Sequence, residues 1–377
     1  MIPKDRGQGV STKRTMPPER KTRKRKTNKA PSIYDVAKEA RVSVFTVSAV
    51  VNGKSHVGKA LKQRVDAAIL KLSYRPNLLA RSLAKRRTHT IGIVVPDISN
   101  PFFPLVVRGA EDAAQKHGYN ILLCDSDDRL EREEECLEVL LAKRVDGILL
   151  TKAPQPFRPP LRQLIDDARV PFVLLMRTYP DLTKDAVLTD DYKGAYEAVS
   201  QLARAGHRRI GLLGGPMTIS NGRERWKGFR DALAANKLTH EPELVIHGDY
   251  RIESGYRGGH ALLSRSPDGI YVANYLMTVG LLKAADEMGM RCPEDFGLVS
   301  FDDYPWLAVF RPRLTTVELP KYQIGFQATE MLLERIKGEP ARGETRKLAP
   351  ELHVRESCGF QLRPNRNAPD ARNGIRA

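Results

Sequence analysis

Cysteine is scarce. Only Cys124, Cys136, Cys292 and Cys358 occur in 377 residues, and no two stand in CxxC or CxxH spacing. That argues against a disulfide framework and a cysteine zinc site, and for reduced thiols in a cytoplasmic protein. Long apolar runs are also missing. Residues 91–96 and 170–176 are among the longest, far short of the roughly 20 residues that cross a bilayer. The first thirty residues are basic and polar with no apolar signal-peptide core, so neither membrane insertion nor export by the usual route is expected. No Gly-rich phosphate loop, HExxH helix or GxSxG elbow is present. What remains, 41% hydrophobic and 28% charged residues, is the composition of a soluble globular chain long enough for two or three domains.

The net charge of +17 is unevenly placed. Residues 1–30 hold eleven Lys/Arg and two acids, and residues 31–90 hold twelve and three. Residues 91–377 hold 39 basic and 40 acidic side chains, so the whole excess lies in the first quarter. A basic head on a near-neutral body is the footprint of a polyanion-binding module joined to something else. Residues 1–30 have almost no apolar content and read as a disordered basic extension.

Residues 31–90 have helical periodicity as well. Ile33, Val36, Ala37 and Ala40 follow i, i+3, i+4, i+7, with Ser32 placed to cap them. Ser43 is a good N-cap for a second short helix holding Val47, Val50 and Val51 inward, ended by Asn52-Gly53. A third helix, about 59–72, is expected to bury Leu61, Val65, Ala68, Ile69 and Leu72. Two short helices joined by a tight turn, with a supporting third, make a helix-turn-helix pattern.

At this point the residues resemble a known family. The segment 32–84 reads SIYDVAKEARVSVFTVSAVVNGKSHVGKALKQRVDAAILKLSYRPNLLARSLA. It is similar to the DNA-binding head of the lactose/galactose repressor (LacI/GalR) family, with "DVA..A.VS..TVS.V.N" and then "Y.PN..ARSLA". The likeness continues to about Gly359 through "IGIVVPDISNPFF", "KRVDGILL", "GHRRIGLLGG", "R.R..GF", "GD" and "FDD". It implies a second helix that enters the major groove, with Val44, Phe45 and Ala49 at the variable reading positions. Val44 and Phe45 cannot form bidentate hydrogen bonds to bases, so direct readout should lean on thymine methyl groups. Ser43, Thr46 and Ser48 sit where the helix start meets phosphates, and His56 matches a loop position that touches DNA. Gly58 stands where many members have a capping Ser. The resemblance makes 76–90 a hinge that folds when two copies meet over the minor groove. Leu83 would be a wedge between base steps, with Arg81 near the phosphates or groove floor.

From residue 91 short β-rich runs alternate with amphipathic helices: 91–95, 103–117, 121–124, 130–143, 147–150 and 171–175. After Asp190 the rhythm restarts, with strands expected at 210–213, 244–247, 269–273 and 297–301. Such alternation predicts parallel sheets covered by helices. The expected fold is α/β: an N-terminal helix-turn-helix DNA-binding head plus a type I periplasmic-binding-protein-like effector domain of two doubly wound parallel-sheet subdomains. The expected divisions are an extension 1–30, a head 31–75, a hinge and linker 76–90, an effector and dimerisation domain 91–363 and a disordered tail 364–377. Within 91–363, one subdomain takes 91–188 and 318–349 and the other 189–317 and 350–363.

Ligands bind at the carboxyl ends of strands in open α/β sheets. By resemblance Phe102, Phe103, Arg223, Tyr250, Asn274 and Asp302 fall on effector-contacting positions, with Lys321 a weaker candidate. Aromatic faces with Arg, Asn and Asp suit a polyol. Two departures matter: Asn274-Tyr275 stands where the family often has Asn-Asp, and Asp190-Asp191 where it commonly has Asp-Asn.

Asp249 and Asp302 could be imagined as a glycosidase pair, but nothing supplies a second shell, and the basic head would have no purpose. A free-standing sugar-binding protein would need export, and an architectural nucleic-acid protein would not need the cleft. The sequence therefore predicts a DNA-binding transcriptional regulator, a repressor and homodimer, with a (pseudo)palindromic double-stranded operator and a sugar-like effector. No enzyme activity, metal, cofactor or membrane partner is expected.

Overall fold

The computed structural model describes residues 31–52, 57–75, 87–179, 182 and 185–359. The chain divides into two compact units, Met1–Arg81 and Ser82–Ala377.

In the first unit, α1 (Ile33–Ala40), α2 (Val44–Val51) and α3 (Lys59–Leu72) pack around Val36, Ala37, Ala40, Val47, Val65, Ala68 and Tyr74. A capping box starts α1: the Ser32 amide donates to Asp35 at 2.8 Å, and the Asp35 amide to Ser32 Oγ at 3.4 Å. Arg41, in the left-handed region at φ 51°, ends the helix. Ser43 caps α2, accepting from the Thr46 amide at 3.1 Å. Gly58 gives α3 no side-chain cap, and Leu61, expected in the core, is 39% exposed because it lies in the first turn beyond that core.

The second unit holds two six-stranded sheets. The first comprises β1 (Thr90–Val95), β2 (Asn120–Asp125), β3 (Gly147–Leu150), β4 (Phe172–Leu175), β5 (Asp185–Thr189) and β11 (Thr345–Leu348), in the order β11-β5-β4-β3-β1-β2. The second comprises β6 (Ile210–Gly214), β7 (Val245–His247), β8 (Gly269–Val272), β9 (Gly297–Phe301), β10 (Thr315–Glu318) and β12 (Glu351–His353), in the order β12-β10-β9-β8-β6-β7. All pairs are parallel except β10 with β12. β3, β4 and β8 are buried along their whole length, as strands covered on both faces must be.

The covering helices are α4 (Phe102–Lys116), α5 (Leu130–Ala142), α6 (Pro159–Ala168), α7 (Asp191–Arg204), α8 (Ser220–Ala235), α9 (Ile252–Leu263), α10 (Tyr275–Glu287) and α11 (Lys321–Ile336). The chain passes between sheets at Asp190, after Glu318 and after Leu348. Thus α11 follows a strand of the second sheet yet packs on α4 and the first sheet. Glycine makes that helix pair possible: a Cβ on Gly325 would lie 1.8 Å from the Val106 carbonyl oxygen. Strand order reverses beside β1 in one sheet and beside β6 in the other. Those switch points open crevices at the carboxyl ends of the strands.

Candidate functional site

One cleft lies where the two sets of strand ends face each other. Pro96 and Asp97 follow β1, Asp128 follows β2, Thr151 follows β3, and Met176 and Arg177 follow β4. From the other subdomain come Asn221 and Arg225 on α8, Asp249 to Arg251 after β7, Asn274 after β8 and Asp302 after β9. Phe102 and Phe103, at the start of α4, line the floor with ring centroids 5.2 Å apart at 73°. Met176, Tyr250 and Asp302 hold φ values of 65°, 67° and 70°. Left-handed backbone costs about 1–3 kcal/mol at a non-glycine residue and clusters at functional sites. Here it aims side chains off strand ends.

The polar lining divides into groups with partners and groups without. Arg225 is buried beside Asp191, with Nε–Oδ1 and Nη2–Oδ1 both 2.7 Å. It also donates to the Ala273 carbonyl and lies 4.0 Å over the Phe301 ring. Burial opposes its charge, but Asp191 together with Tyr250, Tyr271 and Asp302 holds the guanidinium above its ordinary pKa. Arg177 forks onto Asp128 at 2.6 and 3.3 Å. By contrast, Thr151 Oγ1, the Tyr250 hydroxyl and Asp302 Oδ1 are buried with no hydrogen-bond partner among the described residues. Burial pushes the Tyr250 phenol up, so it stays protonated and able to donate. Links cross the cleft between subdomains: Arg251 Nη2 donates to Asp127 Oδ1 at 2.6 Å, and the Thr178 amide to Ser220 Oγ at 3.0 Å.

In the head, α2 carries no charged residue in its first or last turn. Phe45 is 78% exposed, Val44 is half-buried against the head's core, and Ser43 Oγ lies 2.9 Å from Thr46 Oγ1.

Residues 32–77 match the model of bacterial regulatory proteins of the lacI family, and residues 199–358 match a periplasmic binding protein-like domain. The ribose operon repressor of Halalkalibacterium halodurans is 35% identical over 328 residues, 86% of this chain and 96% of that protein. The HTH-type transcriptional repressor PurR of Edwardsiella ictaluri is also 35% identical, over 329 residues, with the same coverage. The chain belongs to the LacI family. Among solved structures it is similar to the lac repressor dimer bound to operator and the anti-inducer ONPF. That match has TM-score 0.77 and 27% identity, covering 88% of this chain and 99% of the other. This LacI-family chain is a DNA-binding transcriptional regulator, and the family is one of regulators rather than enzymes.

Against this frame the expected site residues separate. Phe102, Phe103, Tyr250, Asn274 and Asp302 line one cleft. Asn274 is committed to structure there: its Nδ2 donates to the Tyr250 carbonyl at 2.9 Å, and its Oδ1 caps α10. Arg223 does not line the cleft. It is exposed and donates to the Met217 carbonyl at 3.1 Å. Positions 223 and 225 lie about 200° apart around a helix, so only one faces inward, and that one is Arg225. Lys321 does not line it either, since its buried ammonium donates to the Asp303 and Leu319 carbonyls at 3.1 and 3.4 Å. In the head, Ala49 is 8% exposed, so its methyl is turned into the head rather than out from α2. Ser48 Oγ accepts from Asn52 at 3.3 Å. His56, Arg81 and Leu83 lie outside the described residues. Sequence reasoning missed Arg177, Thr151, Arg251 and Arg225, although the strand-end rule reaches the first three.

Proposed function

We propose that this regulator is a repressor whose affinity for operator DNA is set by a small sugar-like effector bound in the cleft. The observation that carries this reading is the set of Thr151 Oγ1, Tyr250 OH and Asp302 Oδ1, buried and without partners in one cleft. Such groups cost free energy when left unpaired and are satisfied by a ligand rich in hydroxyls. Phe102 and Phe103 would pack on the apolar face of a sugar ring. Two solved relatives favour the class: a transcriptional regulator CelR–cellobiose complex (33% identity, TM-score 0.65) and a LacI family regulator from Enterococcus faecium with bound ribose (29%, 0.63).

Phe45, Val44, Thr46, Ser43 and Ser48 then face the major groove, Phe45 against thymine methyls. Arg81 and Leu83 serve a minor-groove hinge, and residues 1–30 add sequence-independent phosphate contacts. The working form is a cytoplasmic homodimer on a pseudo-palindrome. Val309 and Phe310, 72% and 68% exposed, offer apolar surface for a second copy. Because the cleft lies between subdomains, ligand changes their relative orientation and so the geometry of the paired DNA-binding ends. A coupling of about 1–3 kcal/mol changes operator affinity roughly 5- to 150-fold, and release of DNA is the expected sign. The test is an operator titration with and without D-ribose and cellobiose, after a thermal-shift panel of monosaccharides. A panel in which no sugar changes either stability or operator affinity refutes the reading.

A further inference from the structure

Two thiols stand together away from the cleft. Cys124 is on β2, the edge strand of the first sheet, and Cys136 is on α5, which covers that strand. Both are half-buried and pack against the same apolar cluster. Cys136 Sγ lies 3.6 Å from the carbonyl oxygen of Asp125, the residue after Cys124, and the two thiols are close enough to perturb each other's ionisation. The other two cysteines differ: Cys292 and Cys358 are 9% and 0% exposed.

We propose that Cys124 and Cys136 form a hydroperoxide-reactive dithiol that closes reversibly into a disulfide. The neighbouring Cys136 thiol lowers the Cys124 thiol, which favours its thiolate. The thiolate is the nucleophile in such chemistry. Cys136 is pushed up by Cys124 and by burial and keeps its proton. The Cys124 thiolate attacks one peroxide oxygen, the O–O bond breaks, and hydroxide leaves and is protonated to water. The resulting Cys124 sulfenic acid is attacked by Cys136 sulfur, which gives up its proton. The S–S bond forms and a second water leaves, so two thiols and one hydrogen peroxide yield one disulfide and two waters. Edge-strand placement gives the oxidant access, while the burial of Cys292 and Cys358 protects them.

The site is wired to the cleft. Asp125 holds the loop after β1 through the Ile98 amide at 2.8 Å and the next turn through the Asp127 amide at 2.8 Å. Asp127 in turn takes Arg251 across the cleft mouth. A disulfide fixing α5 on β2 therefore sits one residue from the support of both.

The test uses the full-length reduced protein and stoichiometric hydrogen peroxide. Expected are loss of two of the four titratable thiols and an intramolecular cross-link between tryptic peptides 117–129 and 133–143, both reversed by dithiothreitol. Cys136→Ser should stop at a Cys124 sulfenic acid trapped by dimedone, and Cys124→Ser should lose the reaction. Four surviving thiols, separate sulfinic acids on Cys124 and Cys136, or a disulfide only between molecules would each overturn the proposal. Folding of each variant is checked by its thermal transition. These readouts need neither effector nor operator, so failure here leaves the cleft reading untouched.

Discussion

Asp302 gives the sharpest test of the cleft. Its Oδ1 is buried without a partner, and its backbone sits at φ 70°. A hydrogen bond from a ligand hydroxyl to a carboxylate contributes about 1.5–3 kcal/mol. At 1.4 kcal/mol per decade, its removal in Asp302→Ala should weaken effector binding roughly 10- to 100-fold. Alanine tolerates positive φ poorly, so this variant also loses folding stability, by about 1–2 kcal/mol. Asp302→Asn separates the two effects. Asparagine accepts the left-handed backbone and keeps one acceptor, so its melting temperature should hold while affinity falls by about tenfold, the charge-assisted share. Calorimetry with the sugar identified by the thermal-shift panel reads the first quantity, and an operator titration on the same samples reads the second. Operator affinity without effector should stay within about twofold, because Asp302 acts on the operator only through the bound effector, which is then absent. Full sugar affinity in Asp302→Ala, or a folded Asp302→Asn that no longer binds operator, would refute the reasoning.

The cross-cleft pair Arg251–Asp127 is half-exposed, so Arg251→Gln should cost about 0.2–1 kcal/mol of closure. Sugar affinity should drop up to about fivefold at low salt, and the difference should shrink in 0.5 M NaCl; a salt-independent loss would mean Arg251 acts on the ligand alone. Phe45→Ala should leave the melting temperature unchanged and weaken operator binding. Replacing operator thymines by deoxyuridine should cost the parent protein about fourfold per lost methyl contact and the variant nothing, and equal losses in both would remove Phe45 from the groove. Gly325→Ala drives a Cβ into the Val106 carbonyl, so α4 and α11 must separate at a cost of about 1–3 kcal/mol. Differential scanning calorimetry should show a melting temperature several degrees lower, and an unchanged one would deny that these helices pack through glycine.

Much of this architecture was legible because the governing patterns are local. Ser32 and Ser43 precede apolar periods and do cap α1 and α2. The apolar runs at 147–150 and 269–273 read as doubly covered strands and are buried. What escaped included α6, which opens on Pro159-Pro160, β5, whose Asp185 is taken by Arg335 at 2.6 Å, and the elements after residue 301, namely β10, α11, β11 and β12. Site residues were legible to the level of the strand end and not to the level of helical phase. The motif around Arg223 and Arg225 is visible in the sequence, but which arginine turns inward depends on how α8 is rotated against β6. Lys321 failed for another reason, since the carbonyls that take its ammonium, Asp303 in the loop after β9 and Leu319 in the crossover after β10, belong to segments that have no sequence period. Ala49 was placed on the reading surface by likeness, and burial by its neighbours in the head takes it off.

The departure at Asp190-Asp191 acquires a meaning once the partners are known. Asp191 is the carboxylate that neutralises Arg225, just as Asp128 neutralises Arg177 and Asp127 meets Arg251. Every guanidinium lining the cleft therefore arrives with its own acid, while Asp97, Asp249 and Asp302 line it with no guanidinium of their own among the described residues. The field at the ligand is net negative, and in a part-buried cleft it is screened less than at an open surface. A neutral polyol can donate hydroxyls to those carboxylates. A sugar phosphate or sugar acid must bring its charge against them, and like-charge juxtaposition costs several kcal/mol. Sugar phosphates and sugar acids should accordingly bind at least about a hundredfold more weakly than their uncharged parents, with the gap narrowing as ionic strength rises. Calorimetry on matched pairs, D-ribose against ribose 5-phosphate and glucose against gluconate, measures it. Tighter binding of the anions would mean that one of the three arginines leaves its carboxylate for the ligand, and the pairing of charges argued here would not describe the bound state.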